Sequence, residues 1–235
     1  MQSDFDADVT GVAALAEPLR RALYVYVSAQ PAAVNRDQAA EAVGVARHTA
    51  KFHLDKLVED GLLEVDFARP PGRGGPGAGR PAKLYRRSSR QFAVSIPERH
   101  YDLAGRLLAQ AITDAQRDRV PVAEALARAA RDAGRALGDE ARRRAGKRPS
   151  RSKMLAAAAG VLRDCGYEPR AEGTQLTLAN CPFHSLAQEY TDLVCGMNLE
   201  FIEGLVGEIS GSALAATLDP APGRCCVRVC INAGQ

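Results

Sequence analysis

The segment Pro70-Pro71-Gly72-Arg73-Gly74-Gly75-Pro76-Gly77-Ala78-Gly79-Arg80-Pro81 constrains the fold of this chain more than any other stretch. So much Gly and Pro excludes both a helix and a central strand, so a loop must interrupt the first third of the 235 residues. Leu62-Leu63-Glu64-Val65-Asp66-Phe67 alternates as a strand before it, and Lys83-Leu84-Tyr85-Arg86 reads as a second strand after it. The loop therefore joins a β-hairpin. Charge singles out the same region: from Phe67 to Arg90 there are seven basic residues and no acidic one. The whole chain is almost balanced, with 31 Lys and Arg against 28 Asp and Glu, so placement of charge informs where the total does not.

Three helices precede the hairpin. Leu15, Leu19, Ala22, Leu23, Tyr26 and Val27 form one apolar stripe over Leu15–Ser28. Asn35 suits the N-cap of a short helix running to Val43, and Gly44 permits a sharp turn after it. The next helix, Val45 to Asp60, turns Ala50, Leu54, Leu57 and Val58 inward and leaves Arg47, His48, Lys51 and Lys56 largely outside that stripe. Helix, glycine turn, helix and a basic hairpin form the pattern of a winged helix-turn-helix. Arg47, His48, Thr49 and Lys51 then stand near the start of a recognition helix, where they can reach base edges. Arg73, Arg80 and Lys83 lie on the wing, within reach of phosphates or the minor groove of double-stranded DNA. A basic helix face taken alone is more often merely solvated; the combination of features carries the reading.

These residues also resemble a known family. Val43-Gly44-Val45-Ala46-Arg47-His48-Thr49, followed by His53-Leu54-Asp55-Lys56-Leu57-Val58-Glu59-Asp60-Gly61-Leu62-Leu63, looks like the winged helix of ArsR- and DeoR-like bacterial repressors. Gly79-Arg80-Pro81-Ala82-Lys83-Leu84-Tyr85 resembles the Gly-Arg-Pro wing of such regulators. The resemblance covers about residues 12–90 and implies fold and DNA binding, not a target sequence.

From Glu98 to Lys147, apolar residues recur at helical spacing, with a break near Asp118–Pro121, which predicts two amphipathic helices. Arg142 to Pro149 reads as a solvated linker. Beyond it, Arg151–Gln235 carries six basic and nine acidic residues, so this part has other partners than the basic one. The pattern predicts a helix over Lys153–Cys165, a strand at Gln175–Leu178, helices spanning the segment from His184 past Val206, and a closing strand over Arg224–Ile231.

Three of the six Cys fall at informative positions. Cys181 and His184 are three residues apart at a helix start, where side chains share a face and the helix dipole favours thiolate. Cys195 follows at a distance, and Cys225 leaves a tight Pro-x-Pro-Gly turn. Soft ligands from separate elements can converge on a metal. No C-x₂₋₄-C knuckle typical of zinc is present, and scattered thiolates suit an iron–sulfur cluster, although Cys181-x₂-His184 can be half of a Cys₃His zinc site. Simple burial of the thiols is the bland alternative. The run Cys181-Pro182-Phe183, then Cys195, then Arg224-Cys225-Cys226-Val227-Arg228-Val229 looks like the sensor half of SufR-type winged-helix iron–sulfur repressors. That resemblance implies cluster ligation by Cys181, Cys195 and Cys225, with 4Fe-4S favoured. It also implies a homodimer, and repression by the cluster-bound form of genes for cluster assembly. The fourth ligand stays open between His184, Cys226 and a small molecule. Of the adjacent pair Cys225/Cys226 only one is expected at the site, because neighbours on a strand face opposite sides. Cys165 and Cys230 are expected to be packing residues.

The expected architecture is thus α+β: a winged helix-turn-helix over residues 1–95, helices for dimerisation over 96–148, and an α+β metal-binding domain over 149–235. The expected function is a DNA-binding regulator, not an enzyme; a thiol enzyme using Cys181 with His184 as base is a remote alternative. No apolar run approaches the roughly 20 residues a membrane span needs. The acidic N-terminus argues against a secretory leader, so a cytoplasmic location is expected.

Overall fold

The computed structural model describes residues 2–68, 81–145 and 149–232. The chain separates into two compact units, Met1–Val94 and Ser95–Gln235.

The first unit begins with a helix absent from the sequence reading, α1 (Gln2–Ala14). It docks through Asp8, which pairs with Arg90 at 2.9 Å and accepts the Ala93 N–H at 3.1 Å, while Phe92 packs against Gly11. These partners lie more than eighty residues away in sequence, which is why local periodicity did not reveal the helix. Helix α2 (Pro18–Ser28) starts on Glu17, whose carboxylate caps the N–H groups of Leu19 and Arg20. A two-residue strand, β1 (Val34–Asn35), leads into α3 (Arg36–Val43). Asn35 and Gln38 form a reciprocal capping box there, and Gly44 ends the helix at φ 73°, a left-handed conformation open to glycine. After that turn comes α4 (Arg47–Glu59), then the hairpin of β2 (Leu63–Ala68) and β3 (Ala82–Arg87). The strands pair antiparallel from Leu63↔Arg87 to Ala68↔Ala82, and β1 adds to the other edge of β3. Leu23, Ala39, Ala50, Leu54, Leu57, Leu63 and Tyr85 fill the core between helices and sheet. This is a winged helix-turn-helix. The loop joining the wing strands, with Arg73 and Arg80, lies outside the described residues.

The second unit opens with α5 (Tyr101–Asp118) and α6 (Val122–Ala145). Helix α6 continues through Arg142 and Arg143, where a linker was expected. Asp139 and Glu140 lie three and four residues before these arginines and pair with them on the helix surface, and Arg142 also reaches Glu208 at 3.1 Å. Then follow α7 (Arg151–Asp164), the hairpin β4 (Pro169–Glu172) and β5 (Gln175–Leu178), α8 (His184–Glu189), α9 (Thr191–Ser210), β6 (Leu214–Leu218) and β7 (Val227–Ile231). The four strands form one antiparallel sheet in the order β4-β5-β7-β6. Two of these strands were not foreseen: β4 is a short edge strand opening on Pro169, which an edge tolerates, and the Ala-rich β6 lacks the usual β-branched pattern.

The helices expected over 96–148 share the core of this second unit. Leu107, Ala111, Leu126 and Ala130 are buried in one cluster with Leu162, Leu176, Phe201, Leu205 and Val229. Helix α6 runs against α9 so closely that a Cβ on Gly134 would stand 1.9 Å from the Phe201 carbonyl oxygen, and one on Gly204 would stand 2.2 Å from that of Arg131. No described helix is long and apolar enough to cross a membrane.

Candidate functional site

Two places in the fold gather chemistry, one in each unit. The first is the outward face of α4. Packing of Ala50, Leu54 and Leu57 into the core turns His48, Lys51, Phe52 and Asp55 outward. Arg47 and His48 are exposed and Thr49 is half-buried. The cations here are held by carboxylates: Arg47 Nε lies 3.5 Å from Asp37, and Lys51 Nζ 3.1 Å from Asp55. Lys83, on the wing strand β3, also donates to Asp55, as does the buried Tyr85 hydroxyl at 2.9 Å. Asp55 thereby ties the wing to the second helix of the pair. Burial pushes its carboxyl pKa up, but the hydrogen bonds from Lys83, Tyr85 and Lys51 outweigh that and hold it below the ordinary value.

The second place is a group of thiols in which Cys181 and Cys225 are buried and Cys195 and Cys226 half-buried. Cys181 lies in the loop before α8, Cys195 in the first turns of α9, and Cys225 and Cys226 in the bend that precedes β7. Cys181 interacts with Cys225, Cys225 with Cys226, and Cys226 with Cys195. Three segments far apart in sequence thus bring four sulfurs into one neighbourhood. The expectation that only one of Cys225 and Cys226 belongs there rested on strand alternation. The strand begins at Val227, so the rule does not reach these two residues.

Cys225 is the acceptor at the centre of the group. Its thiol pKa is pulled well down, first by Cys181, then by Cys226, against the opposing effect of burial; the Val227 N–H and Asn198 add to the lowering. Asn198 Nδ2 donates to Cys225 Sγ at 3.2 Å, and its carbonyl oxygen accepts from the Tyr167 hydroxyl. Both Asn198 and Tyr167 are fully buried. The pKa of Cys181 moves the other way, up, through its interaction with Cys225 and then through burial. This corrects the thiolate placement read from sequence: the Phe183 N–H favours a Cys181 thiolate but is outweighed. It also leaves Cys181 unlike an activated nucleophile. His184, the first residue of α8, is exposed. Cys165 lies apart in the sequence-expected packing role, with burial driving its pKa to about 12.

The loop bearing Cys181 is anchored to the start of the second unit. Arg99 donates to Asn180 Oδ1 and, at 3.2 Å, to the Cys181 carbonyl; Asn180 Nδ2 donates to the carbonyls of Glu98 and Gly166. The His100 N–H bonds to the Pro182 carbonyl at 3.1 Å.

Chemically, four soft sulfur donors in one neighbourhood are of the type that a thiophilic metal centre takes. Among the described residues, however, no group of three or more His, Cys, Asp or Glu side chains is arranged to hold a metal ion. Sequence reasoning left Cys226 as one of three options for a fourth ligand and missed Asn198. A polar Asn between Met197 and Leu199 on an apolar helix is the one sequence sign that could have marked Asn198.

No curated protein and no solved structure matches the chain. Residues 15–66 match the family model of a helix-turn-helix domain, and this segment is accordingly similar to the domains with which transcription regulators bind DNA.

Proposed function

We propose that this chain is a transcription repressor that binds DNA as a homodimer and whose affinity is set by an iron–sulfur cluster held on Cys181, Cys195, Cys225 and Cys226. The observation that carries the sensor reading is the meeting of four thiols from three separate segments in one neighbourhood, with Cys181 and Cys225 buried and the Cys225 pKa pulled down. Donor chemistry fits such a group: ligation requires deprotonated sulfur. A bound cluster would supply a redox-sensitive centre that ties the α8 loop, α9 and the bend before β7 together.

The chain's own residues offer a route from this site to the reader. Arg99 and Asn180 couple the Cys181 loop to Glu98–His100, a few residues beyond Val94, where the DNA-reading unit ends. A change at Cys181 therefore acts on the segment through which the two units are joined. Coupling of this kind is reciprocal: DNA must in turn alter retention of the cluster. Support for pairing of two chains comes from α5, where Tyr101 and Ile112 are exposed and Gly105 adds a small residue on the outward face. On the DNA side, Arg47, His48, Thr49 and Lys51 approach base edges, and Lys83 with Arg73 and Arg80 of the wing approach the backbone.

Iron and acid-labile sulfide assays on anaerobically purified chain test the sensor, together with DNA affinity before and after removal of the cluster. Iron and sulfide in equal amounts and tighter DNA binding by the loaded form are expected. Stoichiometric zinc without sulfide would replace the cluster with a zinc site on the same thiols.

A further inference from the structure

We propose that Phe52 reads the methyl group of thymine in the DNA major groove and so sets part of the target sequence; this rests on the DNA-binding reading of α4. Phe52 is 68% exposed although it lies in the middle of a helix whose opposite side is fully packed. Its ring meets His53 edge-on, with centroids 5.1 Å apart, and it stands one helical turn after His48 on the outward face. A single exposed apolar side chain is ordinary on a protein surface. The position of this one makes it informative.

The neighbouring cations stand beside carboxylates, Arg47 at Asp37 and Lys51 and Lys83 at Asp55. Ion pairs this exposed are worth little, so these cations stay able to meet phosphates or guanine edges. On the first turns of α4, Phe52 is the exposed apolar side chain among these polar ones.

A phenyl ring neither donates nor accepts a conventional hydrogen bond. The purine and cytosine edges, which offer only polar groups in the major groove, have nothing for it to match. The C5-methyl of thymine is the one apolar group displayed there. A phosphate gains nothing from a phenyl ring either, and the flanking cations already serve that role. Burial of one methyl-sized group corresponds to about a fourfold change in affinity.

The test uses full chain purified anaerobically. Duplexes are enriched from a randomised library, and each thymine of an enriched duplex is then replaced in turn by deoxyuridine, which removes the methyl and leaves base pairing intact. At one or two positions per half-site the replacement is expected to weaken wild-type binding about fourfold. Phe52→Ala is expected to bind the thymine duplex more weakly by a similar factor and to lose the deoxyuridine effect. Its unfolding midpoint should match that of the wild type, because the side chain is mostly solvated. Wild-type affinity indifferent to every replacement would overturn the proposal, as would undiminished sensitivity in Phe52→Ala. Failure to enrich any duplex would instead overturn the DNA-binding reading beneath it, and the proposal with it.

Discussion

Asp55 and Asn198 occupy equivalent positions in the logic of the two units: each is a polar side chain that joins elements distant in sequence. Asp55 gathers Lys51, Lys83 and the Tyr85 hydroxyl. Asp55→Asn removes the charge that strengthens these bonds and is expected to destabilise the first unit by about 1–2 kcal/mol, read by urea denaturation. Because the folded pKa of Asp55 is depressed, its contribution is present above the ordinary aspartate range and is lost as pH falls through and below that range. The variant should therefore show a smaller loss of stability on acidification than the wild type. Asn198→Ala leaves the buried Tyr167 hydroxyl without its acceptor and Cys225 without one donor, at a cost of about 1–3 kcal/mol in chemical unfolding. Asn198→Asp should cost more, since a carboxylate beside Cys225 repels the thiolate. Asp55 was part of a quoted motif and Asn198 was invisible, because its value comes from partners 31 residues before it and 27 after it.

At the scale of elements, the crossing of α6 and α9 is set by glycine. The Cβ of Gly134→Ala would stand 1.9 Å from a backbone oxygen that cannot rotate away, so the helices must separate. Alanine gains about 1 kcal/mol over glycine in helix propensity, but overpacking costs typically about 1–3 kcal/mol and wins in a contact this close. Thermal unfolding of Gly134→Ala is expected at lower temperature than wild type. Gly160→Ala on α7, where the new Cβ meets nothing within 4 Å, is expected to gain about 0.5–1 kcal/mol in the same assay. Elements with a complete local signature were readable in advance: α3 with its Asn35–Gln38 box and Gly44, and α4 with Ala50, Leu54 and Leu57 inward. Elements held by remote contacts were not. Helix α1 depends on Arg90 and Phe92, and β4 and β6 depend on ladder partners supplied by β5 and β7.

For the whole molecule, the division into two units with separate cores means that damage to one need not unfold the other. Cys195→Ser is expected to reduce iron and sulfide retention to background while hydrogen exchange of peptides from residues 15–66 stays as in the wild type. Parallel loss of protection in those peptides would show that the units do not fold independently. The amino-acid order alone determined the helix-turn-helix, its basic wing and the segments that carry the cysteines, because capping, helical periodicity and the Gly/Pro run act over a few residues. Only the folded chain decided that Cys226 joins Cys181, Cys195 and Cys225, that the surroundings pull the Cys225 pKa down and push that of Cys181 up, and that α5 and α6 belong with the cysteine unit. Each of these depends on groups brought together across long stretches of chain, where burial and mutual hydrogen bonding, not local pattern, set the energy.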